Sequence, residues 1–430
     1  MRFGLAVFLS ILVCSHALAQ LPTFEPPRAW KLADGKTVNA SVLSYDGKTL
    51  ALKLPNGQRW ETTVDQVSPE DVTYLTEWVE RQPIVMPAVV GVDPNTMKVE
   101  VVSEDERNGL YVYRTAHFEF ESEGKFTTSL LRDVGRNFEA TYELLKALPW
   151  GIQPEPAQGE YFRAKLFRTK ERYREAGGPE NSGGVYMSGK ALFMVPFSSI
   201  GLKVVGQSYA KDDNYDTKTL VHELTHEMMH HWLDLLPPWV VEGTAEYTAV
   251  LPLSLGKFRL SAAKNGLKDY LDYLKRKTMD GIPEPYPLAE LFNVTPQQWH
   301  VILVGNPRIS GRLYFTSYLL VYYFMELEDK GDRKLFVKYF REVGAMRKQM
   351  DTFLKDFEEF KKLPGVEVNA DGSFRYPSNL TPPKVPEPFT SNEAMVAYQK
   401  QMLQILLNGR TEAELMEEIR SAYKRLGVKL

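Results

Sequence analysis

Cysteine is almost absent: the 430 residues contain one, Cys14, so no disulfide framework can organise the fold. An excess of one charge is also missing. The 52 Lys and Arg stand against 55 Asp and Glu, a formal charge of −3. That balance gives no electrostatic reason to expect nucleic acid or an anionic membrane as partner. No segment approaches the roughly 20 consecutive apolar residues of a membrane helix, so an integral membrane protein is not expected. What remains is an ordinary globular mixture, 43% apolar and 12% aromatic, long enough for two or three cores.

The first residues read as an address. Arg2 is followed by an apolar stretch from Leu5 to Val13, and Ala17-Leu18-Ala19 forms a small-x-small cleavage site. The spacing predicts a signal peptide over residues 1–19, a mature start at Gln20, and a secreted or periplasmic product that has lost Cys14.

Histidine is scarce too, yet four of the seven fall within ten positions: His222, His226, His230 and His231. Within the cluster stands His222-Glu223-Leu224-Thr225-His226, an H-E-x-x-H pattern. Positions i and i+4 share a helix face, so both imidazoles can close on one metal ion, with Glu223 beside them. Leu220, Leu224, Met228 and Leu235 are expected to pack inward. Pro237-Pro238 then breaks the helix, and the segment from Trp239 reads as a second helix returning past the first. It offers Glu242 as a third ligand. Two imidazoles and one carboxylate leave a tetrahedral position open, as a catalytic zinc site requires. An overlapping register, His226-Glu227-Met228-Met229-His230, competes with the first; His230 and His231 read instead as a polar helix end near the surface.

H-E-x-x-H followed by Trp239-Val-Val-Glu242-Gly243-Thr-Ala245-Glu246-Tyr247 resembles the gluzincin zinc metallopeptidases. It resembles in particular their bacterial peptidase MA-like branch, and is more distantly similar to aminopeptidase N and thermolysin. The resemblance implies an α+β fold: a zincin-like metallopeptidase domain with a mixed sheet and a helical C-terminal part. It implies one Zn2+ held by His222, His226 and Glu242, and Glu246 as partner of a ligand histidine. It implies a tyrosine that stabilises the oxyanion, matched by Tyr314 in the aromatic run Arg312–Tyr323, with Tyr318 as alternative. An edge strand beside the zinc helix would pair with substrate backbone; Ser182–Met187 and Ala191–Val195 read as that hairpin, with Gly183 and Gly184 allowing close approach. The fifteen residues between His226 and Glu242 are fewer than in aminopeptidase N. Gly177-Gly178-Pro179-Glu180-Asn181 superficially resembles that enzyme's amino-terminus anchor, but Pro179 removes a donor, and a Gly-rich turn is expected.

Three regions separate along the chain. Residues 28–81 read as a small β-barrel module: three alternating strands joined at Asp46-Gly47 and Asn56-Gly57, then a helix capped by Ser68. Arg28-Ala-Trp30, Asp34-Gly35-Lys36 and Val67–Asp71 resemble the Sla-one homology domain of the first type, an SH3-like barrel. That would imply a protein or cell-envelope ligand. Residues 82–98, with Pro83, Pro87 and Pro94, read as a linker. The peptidase-like domain is placed at 99–375, with Tyr111–Phe120 as one strand, and a Pro-rich strap and terminal helices at 376–430. His117, in that strand, is given no catalytic part.

The expected function is an exported zinc peptidase with Glu223 as general base, cutting internally in a peptide or protein substrate. Two alternatives are a non-catalytic, zinc-retaining scaffold and an amidase acting on cell-wall peptide crosslinks.

Overall fold

A computed structural model describes residues 26–430 apart from 46, 94, 181, 206–207, 213–214, 278–280 and 370–372. The expected leader, with Cys14 and the mature start at Gln20, lies outside the described residues, as do Asp46, Pro94 and Asn181. The fold is mixed α+β, and its contacts divide it into two compact units between Val85 and Met86. No helix among the described residues is long and apolar enough to cross a membrane.

The first unit is an antiparallel meander. Strands β1 (Arg28–Lys31), β2 (Thr37–Tyr45), β3 (Thr49–Lys53) and β4 (Arg59–Thr63) pair in sequence order. Gly47 and Gly57 sit at φ +93° and +85° in the turns, where a side chain would be strained. Helix α1 (Pro69–Arg81) follows, its N-cap Ser68 accepting from the Asp71 amide. The Asp71 carboxylate also takes the Lys31 amide at 2.8 Å and pairs with Arg28 at 2.8 Å, which ties the cap to β1. The expected closed barrel is not seen: among the described residues β4 does not pair with β1. Leu75 and Trp78 of α1 instead join Trp30, Leu50 and Leu52 in one core, so closure by strand pairing is not needed to bury the sheet face.

The second unit begins where a linker was expected. Strand β5 (Val89–Gly91) pairs antiparallel with a strand far downstream, and Met97 is buried. The prolines of 82–98 therefore do not mark a free connector along its whole length. The expected strand over 111–120 is two strands: after β6 (Glu100–Asp105), β7 (Leu110–Arg114) turns back into β8 (Phe118–Ser122), with the Thr115 amide donating to Phe118 O. Glu139 holds that turn, accepting from the His117 amide at 2.9 Å and facing His117 Nδ1 at 2.6 Å, while the imidazole stacks on Tyr142 at 3.7 Å. Glu139 belongs to α2 (Thr128–Ala147). Strand β9 (Phe162–Phe167), helix α3 (Lys170–Glu175), β10 (Val185–Met187) and β11 (Leu192–Pro196) complete the central sheet. Its order is β10-β11-β9-β8-β7-β6, mixed, with parallel pairing of β9 to both β11 and β8.

A side hairpin, β12 (Leu202–Val205) and β13 (Ser208–Lys211), precedes α4 (Lys218–Met228) and α5 (Pro238–Val250). Then come β14 (Leu253–Ser254), β15 (Lys257–Arg259), which is the partner of β5, and helices α6 (Ala263–Lys277), α7 (Leu288–Leu291), α8 (Pro296–Gly305) and α9 (Pro307–Tyr322). The chain closes with α10 (Lys334–Phe360), the Pro-rich strap, α11 (Asn392–Leu407) and α12 (Glu412–Arg425). Leu220, Val221, Leu224 and Met228 of α4 lie in the same large core as the sheet aromatics. Each such buried side chain contributes about 1.5–3 kcal/mol, which fixes the face α4 leaves for the site.

Candidate metal centre

Three local features bring α4, α5 and α9 together. Thr225, buried on α4, donates or accepts across to Thr248 of α5 at 2.7 Å and also bonds Val221 O at 2.8 Å. After Met228 the chain tightens into a 3-10 turn at His230–Trp232, and Pro238 opens α5 as its first residue, where its missing N–H costs nothing. Gly243 faces α9 so closely that a Cβ would lie 2.5 Å from Ser317 O. Glycine at this position lets the α9 backbone approach, and α9 carries Tyr314.

The result is a convergence of three donor atoms. His222 Nε2 and His226 Nε2 lie 3.0 Å apart, and Glu242 Oε2 lies 3.2 Å from the first and 3.4 Å from the second. Ligands about 2.0–2.2 Å from one tetrahedral ion stand roughly 3.3–3.5 Å from each other. Glu242 Oε2 is buried and has no hydrogen-bond partner among the described residues. Burial alone would raise the Glu242 carboxyl, but the His226 and His222 imidazoles outweigh it and hold the group well below the usual carboxylate range. Glu246, one turn further along α5, places Oε1 3.1 Å from His222 Nδ1. With an ion held there and Nδ1 donating to Glu246, the Nε2 lone pair of His222 would face that ion. Two imidazole nitrogens and an ionised, otherwise unpartnered carboxylate oxygen form a donor set that fits a divalent cation such as zinc.

Glu223 sits beside this group. Its Oε2 accepts the backbone N–H of Tyr186, on β10, at 2.9 Å. Burial raises its pKa above the ordinary glutamate value, against the opposing pull of both imidazoles and the Tyr186 amide. Tyr314 stands with its ring 6.1 Å from that of His222, and Trp299 of α8 packs edge-on to it at 5.7 Å. Burial, then Glu242, Glu246 and Glu223, push the Tyr314 phenol far up, so it keeps its proton. Tyr318 is fully buried between Tyr270 (4.8 Å) and Tyr322 (5.8 Å), so of the two tyrosines it is Tyr314 that reaches the His222 ring.

The overlapping register does not assemble. His230 lies beyond the end of α4, and its Nδ1 is 2.7 Å from the Tyr186 hydroxyl. It is half-buried just past the helix end, and its ring is engaged by Tyr186. Glu227 is 2% exposed and takes a hydrogen bond from the Arg163 backbone of β9, on the core side of α4. Gly183 and Gly184 stand in close packing. A Cβ on Gly183 would meet Thr219 at 3.1 Å, and one on Gly184 would meet Phe193 at 3.2 Å. Their smallness serves packing of this segment against α4 and β11. Gly177, at φ +100°, does lie in a turn, and Gly178 packs under the Tyr173 ring.

Sequence reasoning missed two residues. Gly243 is visible only as the Gly of an E-G pair, and Tyr186 carries no motif at all; its link to Glu223 spans 37 positions. No family model matches this chain and no curated protein matches it, so its site is read from its own geometry.

Proposed function

We propose that this protein is an exported zinc peptidase that hydrolyses internal peptide bonds. The observation that carries the reading is the convergence of His222 Nε2, His226 Nε2 and Glu242 Oε2 within 3.4 Å of one another, with Glu223 on the same helix face. These three residues would hold the ion. When bound, zinc supplies Lewis acidity that brings water toward ionisation near neutral pH and polarises a carbonyl.

The chain's own residues supply the rest. Glu223 takes the proton of the attacking water and returns it to the leaving amine. A carboxyl raised by burial suits both halves of that task, because its pKa lies nearer the working pH. Tyr314 keeps its proton and can donate a hydrogen bond to charge that develops on the carbonyl oxygen. Glu246 keeps the His222 ring oriented. A peptide substrate is supported by β10, the outermost strand of the sheet, which lies next to Glu223 and can receive an extended chain.

The test is a proteome-derived peptide library incubated with zinc-loaded protein, with new termini mapped by mass spectrometry. Internal cuts made by the parent and absent with Glu223→Gln support the reading. A zinc-loaded parent that makes no new termini refutes it.

A further inference from the structure

Two contacts meet in one residue of β10. The Tyr186 amide donates to Glu223 Oε2 at 2.9 Å, and the Tyr186 hydroxyl lies 2.7 Å from His230 Nδ1. The two rings stand edge to face, 6.0 Å apart at 89°. Burial, then His231, lowers the His230 pKa, and burial raises the Tyr186 phenol. A protonated phenol and a neutral imidazole can share this one hydrogen bond, whichever of them donates.

The strand that carries Tyr186 packs Val185 and Met187 on Phe167 and Tyr173, but its backbone is held on one side only. β10 is three residues long, lies at the edge of the sheet and, among the described residues, pairs with β11 alone. The turn between them passes through Ala191 at φ +47°, a conformation disfavoured for a residue with a Cβ. Short edge strands open locally more easily than central ones. An amide on such a strand directs a carboxylate only as well as the strand itself is held. Both contacts of Tyr186 land on one continuous stretch: Glu223 within α4, and His230 in the 3-10 turn that follows. The side chain thus pins the strand to the segment whose carboxylate its amide holds.

We propose that Tyr186 is a positioning residue: through its hydrogen bond with His230, its hydroxyl locks β10 so that the amide holds Glu223 Oε2 and leaves Oε1 to carry the proton. The inference rests on the peptidase reading for its kinetic consequence. The clamp itself can be measured without turnover.

The experiment compares Tyr186→Phe, His230→Ala and His230→Asn with the parent. Asn places its Oδ1 near the position of the imidazole Nδ1 and so keeps an acceptor. In metal-free protein, exchange of the Tyr186 amide should quicken by about 10-fold in the Phe and Ala variants and stay near the parent rate in the Asn variant. In zinc-loaded protein, kcat should fall by about 10-fold in the same two variants with KM within about 2-fold, and His230→Asn should restore it. The Phe–Ala double variant should be no worse than either single one. Unchanged amide exchange in Tyr186→Phe would overturn the proposal. So would a loss that falls on KM, or a His230→Asn variant as poor as His230→Ala. If amide exchange follows the expected order while no form cleaves any peptide, the clamp stands and the peptidase reading fails.

Discussion

The chain carries the same five-residue pattern twice, four positions apart, once within α4 and once running past its end, and the two copies meet different surroundings. Glu223 faces the side reached by α5 and β10. It receives the Tyr186 amide and lies beside imidazoles that Glu242 and Glu246 orient. Glu227 faces the core, where it receives a backbone N–H from β9 and keeps one buried oxygen, Oε2, without a partner among the described residues. Spacing in sequence is identical for both, but only the first copy lies wholly within α4. What separates them is which neighbouring element delivers polar groups to that side. A motif specifies which residues share a face; only packing decides what the face meets.

The comparison breaks most readily on turnover. Glu223→Gln should lower kcat by about 10³-fold or more, since a positioned base contributes roughly 10²–10⁴. Glu227→Gln should change kcat by less than about 3-fold, because its carboxyl lies one turn further along α4, against β9, and is not among the three converging donors. Parallel peptide-cleavage rates check both, and equal losses would mean that the second register is used.

A second pair contrasts two tyrosines one turn apart on α9. Tyr314→Phe should lower kcat by about 10²-fold, the usual cost of losing a donor to the oxyanion. Tyr318→Phe removes a buried hydroxyl that has no partner among the described residues and should leave kcat within about 2-fold. The same kinetics distinguish them, and a larger loss from Tyr318→Phe would reverse the assignment.

Glu246→Gln should weaken zinc affinity by roughly 10–100-fold, because the amide no longer fixes the His222 tautomer. Competition with a chromophoric chelator measures it. An unchanged affinity would show that the 3.1 Å contact does not orient the ring.

The last expected effect concerns the chain start and is read as stability, not turnover. A protein beginning at Met86 keeps β5; one beginning at Thr96 does not, and it leaves β15 paired with β14 alone and Phe258 uncovered on that side. Losing that strand and the packing of Val90 and Val92 should cost about 3–5 kcal/mol, a melting temperature lower by on the order of 10 °C. Calorimetry on the two truncations decides it, and identical midpoints would return this segment to the status of a linker.

Much of this was legible from local pattern. The 3.6-residue periodicity around His222 marked α4 with its buried and open faces. Pro237-Pro238 marked the break before α5, and the four-residue step from Glu242 to Glu246 marked one face of α5. The β10–β11 hairpin and the terminal helices were equally local. The rest came from contacts between residues far apart in sequence. β5 pairs with β15 across about half the length of the unit, so the prolines around it looked like a connector. Tyr111–Phe120 alternates like one strand, and only the Thr115–Phe118 hydrogen bond and the grip of Glu139 on His117 show the turn inside it. The meander of the first unit was legible, but how its face is covered depended on where α1 packs. Tyr186 had no signature, because its importance lies in what its amide and hydroxyl touch.

The central claim is that His222, His226 and Glu242 hold one zinc ion, and metal content tests it most directly. Elemental analysis combined with calorimetric titration of zinc into metal-free protein should give one site per chain. The site should persist in Glu223→Gln and Glu227→Gln and disappear in His226→Ala and Glu242→Ala. A parent that binds no zinc, or a His226→Ala variant that binds it as tightly as the parent, would contradict the account.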